Sequence, residues 1–106
     1  MSKCNWPLNN TEDLEFTIYE PNTTWNKVAG LYIFARMTDK THWNALYVGQ
    51  TDDFSFRLPA HEKWDSARRH RATHIHALAV ALAANRDKWE KMLIQHLRPV
   101  LNVQDL

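Results

Sequence analysis

Two tyrosines, each within a glycine-containing tripeptide, are the residues of this 106-residue chain whose types and spacing could do chemistry together. Tyr32 closes the tripeptide Gly-Leu-Tyr, Tyr47 opens the tripeptide Tyr-Val-Gly, and Arg57 follows ten residues after Tyr47. A phenol can exchange a proton, and a guanidinium can hold two oxygens of an anion at once. We therefore interpret this stretch as one half of a candidate site.

A carboxylate on an apolar helix face is the second half. Asn85 predicts the N-cap of a last helix, Arg86 to Leu97, which Pro99 ends. On a helical wheel Glu90 falls on the apolar side, with the arc formed by Trp89, Met92, Leu93 and Leu97. Such a carboxylate loses hydration, which is costly unless a cation or hydrogen-bond donors compensate. If Glu90 lies at the rim of the apolar arc, or forms an ion pair with an arginine, its placement is explained equally well.

Length and composition favour one globular domain. A chain of 106 residues supports a single modest core, and its apolar share is 44%. No apolar run approaches the roughly 20 residues that span a bilayer, so we expect no membrane partner. Cys4 is the single cysteine, which excludes an internal disulfide and a thiolate metal site. We expect a cytoplasmic protein.

The charge is unevenly distributed along the chain. Residues 1–53 hold four Lys and Arg against seven Asp and Glu, whereas residues 54–106 hold nine against five. Such an asymmetry suits an acidic partner such as a nucleic-acid backbone, although an ordinary solvated face explains it equally well. Much of the positive excess lies in Arg57, Lys63, Arg68, Arg69 and Arg71.

Three strands position the tyrosines. Leu14 to Glu20 alternates apolar and polar residues, which predicts a half-buried strand after a polar extension at residues 1–13. Residues 28–37 and 45–50 are rich in β-branched and aromatic residues, which predicts two more strands. The polar residues 38–44 between them predict the loop of an antiparallel hairpin.

The segment after the hairpin is harder to assign. Thr51 or Ser55 can cap a helix that runs towards Arg71, with an irregular or kinked start at Pro59. Residues 73–80 fit either a strand or the front of a longer helix. As a strand they would point His74 and His76 to the same side, but without a third ligand we expect no zinc site.

The two tripeptides resemble the paired signature of the GIY-YIG endonuclease family. Arg57 stands at the position of the family's helix arginine, and His61 matches a histidine often found four residues later. Glu90 matches the family's metal-binding glutamate, and Asn102 matches the asparagine of its closing segment. The resemblance spans residues 28–102, although leucine and valine replace the isoleucines of the two tripeptides and Pro59 is unusual.

The resemblance implies an α+β fold, GIY-YIG nuclease-like, with a small antiparallel sheet of about three strands flanked by helices. Residues 1–27 would add an N-terminal extension with a further strand. Residues 28–106 would form the nuclease-like domain, and the whole chain would be a single compact unit.

The resemblance also implies a divalent-metal-dependent endonuclease that cuts DNA. Glu90 would hold one Mg²⁺ or Mn²⁺, and Arg57 would bind a nonbridging phosphate oxygen. One of Tyr32, Tyr47 and His61 would take a proton from the attacking water, and the sequence leaves open which one. These five residues are the predicted catalytic set.

Further residues would bind the substrate or support the site. The predicted nucleic-acid contacts are Arg57, Lys63, Arg68, Arg69, Arg71 and His74, and the predicted structural residues are Gly30, Gly49 and Asn102. RNA is not excluded as a substrate. With no separate DNA-binding domain in these 106 residues, a homodimer or a partner protein could supply specificity. The alternative is a nucleic-acid-binding module of the same fold without activity.

Overall fold

The computed structural model describes residues 2–103, and its five strands form one antiparallel sheet that curves into a half-barrel. The order across the sheet is β1-β2-β5-β3-β4. The strands are β1 (Lys3–Pro7), β2 (Asp13–Tyr19), β3 (Gly30–Asp39), β4 (His42–Thr51) and β5 (His74–Ala79). The expected three-stranded sheet flanked by helices is therefore wrong.

The N-terminal region accounts for the difference. The predicted strand that begins at Leu14 is confirmed as β2, but β1 lies within the expected extension and pairs with it. Trp6 and Leu8 are 6% and 5% exposed and pack in the same core as Phe16. Because β1 has only five residues, its alternation is too short to distinguish from an irregular segment. Burial of the Trp6 ring against the sheet fixes it as a strand.

Residues 74–79 form the strand β5, which settles the two readings of that segment. Strand β5 inserts between β2 and β3 and pairs with both. Ile75, His76 and Ala77 are all buried because a central strand is covered on both faces. The alanines that favoured a helix are overridden by this tertiary packing.

The hairpin of β3 and β4 is longer than expected. Its turn is formed by Lys40 and Thr41 rather than by residues 38–44. The Asp39 carboxylate accepts hydrogen bonds from the Thr41 backbone and hydroxyl, at 2.8 and 3.0 Å, and thereby closes the turn. The sequence predicted a loop over these strand ends because the residues at the tip of the hairpin are exposed and polar.

Four helices complete the described residues 2–103: α1 (Phe54–Arg57), α2 (Trp64–Arg69), α3 (Ala83–Leu97) and α4 (Val100–Val103). The single helix expected up to Arg71 is replaced by α1 and α2. Asp53, rather than Thr51 or Ser55, caps α1 by accepting the Ser55 backbone N–H at 2.9 Å. The break falls at Pro59, which has no backbone N–H to continue the helical hydrogen bonds, although Leu58 before it keeps a helical backbone.

The last helix is confirmed, but it starts earlier than predicted. Leu82 stands at the N-cap without a side-chain hydrogen bond, so Asn85 lies inside α3. The buried Arg86 instead ties the helix to the end of β5, donating to the Val80 and Ala81 carbonyls at 3.0 and 2.9 Å. Arg98, with a left-handed φ of 47°, ends the helix just before Pro99.

The two faces of the sheet carry separate cores. On the first, called the α3 face, Leu31, Ile33, Ala35 and Val48 pack with Leu93 of α3. On the second, called the site face, the residues of the sheet pack with α1, α2 and α4, and include Tyr32, Phe34, Ile75 and Ala77. None of the helices described in residues 2–103 has the length and apolar character needed to cross a membrane.

Candidate functional site

Tyr32 lies at the centre of the site face and fits there because residue 49 has no side chain. Its partner across the β3–β4 ladder is Gly49, and Tyr32 is only 1% exposed. A Cβ atom at Gly49 would lie 2.8 Å from the ring carbon Cε2 and closer still to the phenol oxygen. The glycine of the second tripeptide therefore makes room for the tyrosine of the first.

Gly30 is required by a different neighbour. A Cβ atom there would lie 2.5 Å from Cζ of Phe54 and closer still to the carbonyl oxygen of Leu78 on β5. Neither glycine has a positive φ, so close approach rather than backbone conformation explains both. In both cases the approaching atoms belong to this chain.

His61 holds the Tyr32 phenol. The two groups are joined by a 2.7 Å hydrogen bond between Nε2 and the phenol oxygen. The Lys63 backbone N–H donates to Nδ1 of His61 at 3.0 Å, and a backbone N–H can only donate. Nδ1 is thus unprotonated, the ring proton of neutral His61 lies on Nε2, and His61 donates to Tyr32.

The pKa of His61 falls to about 4, mainly because the ring is buried and also because Arg57 is positively charged. His61 is therefore neutral at neutral pH, with one nitrogen engaged by a backbone donor and the other by the phenol. Neither nitrogen is available to take a proton from another group while these contacts last.

Tyr47 completes an aromatic group around His61. Its ring centroid lies 5.2 Å from that of His61 and 6.3 Å from that of Tyr32. Burial raises the pKa of both tyrosines, and the charge of Tyr47 raises that of Tyr32 further, whereas Arg57 lowers both. Both phenols are therefore protonated near neutral pH in the protein by itself.

Arg57 is held by a residue that the sequence did not reveal. Nη1 and Nη2 donate to the two carboxylate oxygens of Glu62 at 2.6 and 2.7 Å, which forms a bidentate ion pair. The hydrogen bonds from Arg57 lower the pKa of Glu62 to about 2. The two residues lie on either side of Pro59, and no helical or strand spacing predicts that they meet.

Glu90 reaches the edge of the sheet from α3. It is half-buried, and its carboxylate accepts a hydrogen bond from the Gln50 side-chain amide at 3.3 Å. The same amide also donates to Asp87. Burial raises the pKa of Glu90, and the charge of Asp87 raises it further. Neither Gln50 nor Asp87 was predicted, because their proximity depends on how α3 packs along β4.

The charge of Glu90 acts on the tyrosines as well. It raises the pKa of both Tyr32 and Tyr47. Tyr32, Tyr47, Arg57 and His61 thus cluster on the site face, from β3, β4, α1 and the loop after it, and the charge of Glu90 on α3 reaches both phenols.

The donors present suit a hard cation better than zinc. Within residues 2–103, no group of three or more His, Cys, Asp or Glu is arranged to hold a metal. Mg²⁺ commonly binds through one or two carboxylates, with water and phosphate oxygens filling its other positions. Glu90 fits that pattern, since it is a half-buried carboxylate whose side-chain partner is a neutral amide.

The two histidines of β5 have other roles. His76 is fully buried and accepts the Trp6 indole N–H on Nδ1 at 2.9 Å. His74 lies on the same side, as predicted for a strand, and faces Glu20 at 3.6 Å. That side is the α3 face, so the structure does not bring His74 to Tyr32.

The remaining predicted contacts lie at the surface beside the site face. Arg68 and Arg69 are exposed at the end of α2, and Arg71 is exposed with a left-handed φ of 68°. Lys63 immediately precedes α2 and is partly buried.

Asn102 of α4 fixes the edge strand. Its side chain accepts the Val48 backbone N–H at 2.8 Å and donates to the Val48 carbonyl at 2.9 Å. Because β4 is an edge strand, these two bonds pair backbone groups that no neighbouring strand can reach. Asn102 therefore supports the strand that carries Tyr47 and Gly49.

No protein-family model matches the sequence, and neither a curated protein nor a solved structure matches the chain. What the chain does must be inferred from its residues and their geometry.

Proposed function

We propose that this protein is a divalent-metal-dependent endonuclease that hydrolyses phosphodiester bonds in DNA. The observation that supports this most is the environment of the Tyr32 phenol. It receives a hydrogen bond from His61 while the charges of Arg57 and Glu90 both act on it. An acid–base group contacts this phenol, and the charges of an anion-binding and a cation-binding group influence it.

Each residue has a role that its chemistry supports. Arg57 binds a nonbridging phosphate oxygen and offsets negative charge in the transition state. Tyr32 or Tyr47 orients the attacking water. To receive its proton the phenol must first be ionised, which Arg57 and a bound cation would favour by lowering its pKa. His61 positions Tyr32 rather than acting as the base, because its own proton already points at the phenol.

Glu90 holds the metal in this proposal. Mg²⁺ or Mn²⁺ held there would supply Lewis-acid chemistry to the phosphate and the leaving oxygen. Glu90 lies close enough to influence both phenols through its charge, and burial together with the charge of Asp87 raises its pKa.

DNA is the proposed substrate, with the exposed arginines at the end of α2 making further phosphate contacts. The motif resemblance to GIY-YIG endonucleases supports this choice independently of the fold, and points to one active site per chain. A double-strand cut would then need two chains or two encounters. A cytoplasmic location accords with the single cysteine.

The alternative is a nucleic-acid-binding module without turnover. The exposed arginines at and just after the end of α2 favour it, because they can bind phosphates while Arg57 stays paired with Glu62. The same assay separates the two functions.

The test is cleavage of plasmid and branched DNA with Mg²⁺ or Mn²⁺. Glu90→Gln and Arg57→Ala should each abolish detectable cleavage, since removing one such electrostatic group typically costs about 10²–10³-fold in rate. Glu15→Gln and Lys88→Ala change the same charges at exposed positions and should cleave like the wild type. Equal activity of all variants refutes the proposed site, and DNA binding without cleavage under either metal supports the alternative.

A further inference from the structure

Glu62 binds the Arg57 guanidinium, which is the group that the proposed function assigns to phosphate binding. Both terminal nitrogens of Arg57 are engaged, Nη1 with Oε2 at 2.6 Å and Nη2 with Oε1 at 2.7 Å. A bidentate arginine–phosphate contact uses the same pair of parallel N–H bonds. A phosphate and Glu62 would therefore compete for the same two donors.

The other neighbour of the guanidinium is Tyr32. A hydrogen bond from Arg57 and its positive charge both lower the pKa of that phenol. Arg57 thus spans Tyr32 and Glu62, while the adjacent residue His61 donates to Tyr32. His61 and Glu62 are consecutive in the loop. His61 therefore holds the Tyr32 phenol, and Glu62 holds the Arg57 guanidinium.

The Glu62 contact is exposed enough to be exchanged. The Glu62 side chain is 65% exposed and that of Arg57 is 31% exposed. Solvent screening limits such an ion pair to a change of no more than about fivefold in an equilibrium constant. Since the pKa of Glu62 is about 2, a proton does not release it at working pH. A competing anion can.

We propose that Glu62 closes the phosphate site in the free protein: its carboxylate occupies the Arg57 guanidinium beside Tyr32 and gives way to a substrate phosphate. The inference rests on the proposed function in assigning a phosphodiester as that anion. In the free protein the phosphate site is therefore closed by Glu62.

The first test is phosphate binding without metal. Inorganic phosphate and a dinucleotide phosphodiester are titrated into wild type, Glu62→Gln and Glu15→Gln, followed through the arginine side-chain N–H signals by NMR. Glu62→Gln should bind both ligands about two- to fivefold more tightly, because the competing carboxylate is gone. Glu15→Gln removes the same charge from an exposed position of β2 and should bind like the wild type.

A double variant shows whether the tighter phosphate binding of Glu62→Gln depends on Arg57. Arg57→Ala/Glu62→Gln should bind phosphate no better than Arg57→Ala. A gain that persists without Arg57, or Glu62→Gln binding that equals or falls below the wild type, overturns the proposal. Urea unfolding of each variant establishes that it is folded before the titrations are compared.

Cleavage kinetics give an independent readout. If Glu62 acts only in the free protein, Glu62→Gln lowers KM by the same factor while kcat holds. A fall in kcat with unchanged KM contradicts the exchange. Tighter phosphate binding by Glu62→Gln in a protein that cleaves nothing would refute the nuclease function alone, whereas active enzyme with unchanged KM would refute the role of Glu62 alone.

Discussion

Replacing Gly49 with alanine should destabilise the protein through Tyr32 alone. The added methyl group would lie 2.8 Å from the ring carbon Cε2, and nearer still to Cζ and the phenol oxygen. Ordinary contacts begin at 3.4 Å, so the ring must retreat by about 1 Å in a close-packed core. Its hydrogen bond to His61, now 2.7 Å, does not survive a displacement of that size.

The cost has two parts. Overpacking of a buried site typically costs about 1–3 kcal/mol, and a lost buried hydrogen bond adds about 0.5–1.5 kcal/mol. We expect Gly49→Ala to lower the free energy of unfolding by about 2–4 kcal/mol, measured as a fall in the urea midpoint at constant m. A domain of this size has about 5–15 kcal/mol in total, so the variant should still fold.

A compensating variant shows whether Tyr32 is the obstacle. Tyr32→Leu removes the ring atoms that the methyl group meets, so the double variant Gly49→Ala/Tyr32→Leu should be more stable than the sum of the single effects by about 1–2 kcal/mol. Additivity within about 0.5 kcal/mol, or a Gly49→Ala protein as stable as the wild type, would refute the reasoning.

Gly30 provides the contrasting case. Its added methyl group meets the Leu78 backbone carbonyl as well as the Phe54 ring. Shortening Phe54 to leucine should therefore fail to rescue Gly30→Ala, because the strand backbone remains in place.

Two further predictions concern stability. Asn102→Ala should cost about 1–3 kcal/mol in urea unfolding, because both backbone groups of Val48 lose their partner, whereas Asn44→Ala at an exposed position should cost less than about 0.5 kcal/mol. Burial lowers the pKa of His61 and His76 to about 4 from 6.5, so the unfolded chain binds more protons between these values. Stability should thus be complete above about pH 6.5 and fall towards pH 4, by up to about 1.4 kcal/mol per pH unit for each histidine, and a flat profile of urea midpoints would contradict this.

The sequence predicted those elements whose pattern is long and regular. The hairpin strands β3 and β4 are dense in apolar and aromatic residues, and α3 carries a clear apolar arc that packs as expected. The prediction missed β1 and the position of β5, because a five-residue strand has little pattern and strand order depends on pairing between distant segments.

The candidate site divides in the same way. Tyr32, Tyr47, Arg57 and Glu90 were chosen by residue type and spacing and His61 by the motif resemblance. The structure clusters the tyrosines, Arg57 and His61, and the charge of Glu90 reaches both phenols. Glu62, Gln50 and Asp87 were not chosen, because each acts through a contact formed only after a loop or helix is placed against another element. The N-cap of α1 was assigned to the wrong residue because Thr51, Asp53 and Ser55 all offer a side-chain acceptor within five residues, and the sequence does not distinguish them.

The sequence by itself determined which side chains could do chemistry and that the Glu90 carboxylate would lie beside the apolar arc of the last helix. Only the tertiary structure decided that His61 donates to Tyr32, that Gly49 leaves room for its ring, and that Glu62 binds Arg57. The physical reason is that periodicity reports the direction of a side chain within one element. Hydrogen-bond partners and close approaches are set by how elements pack against one another.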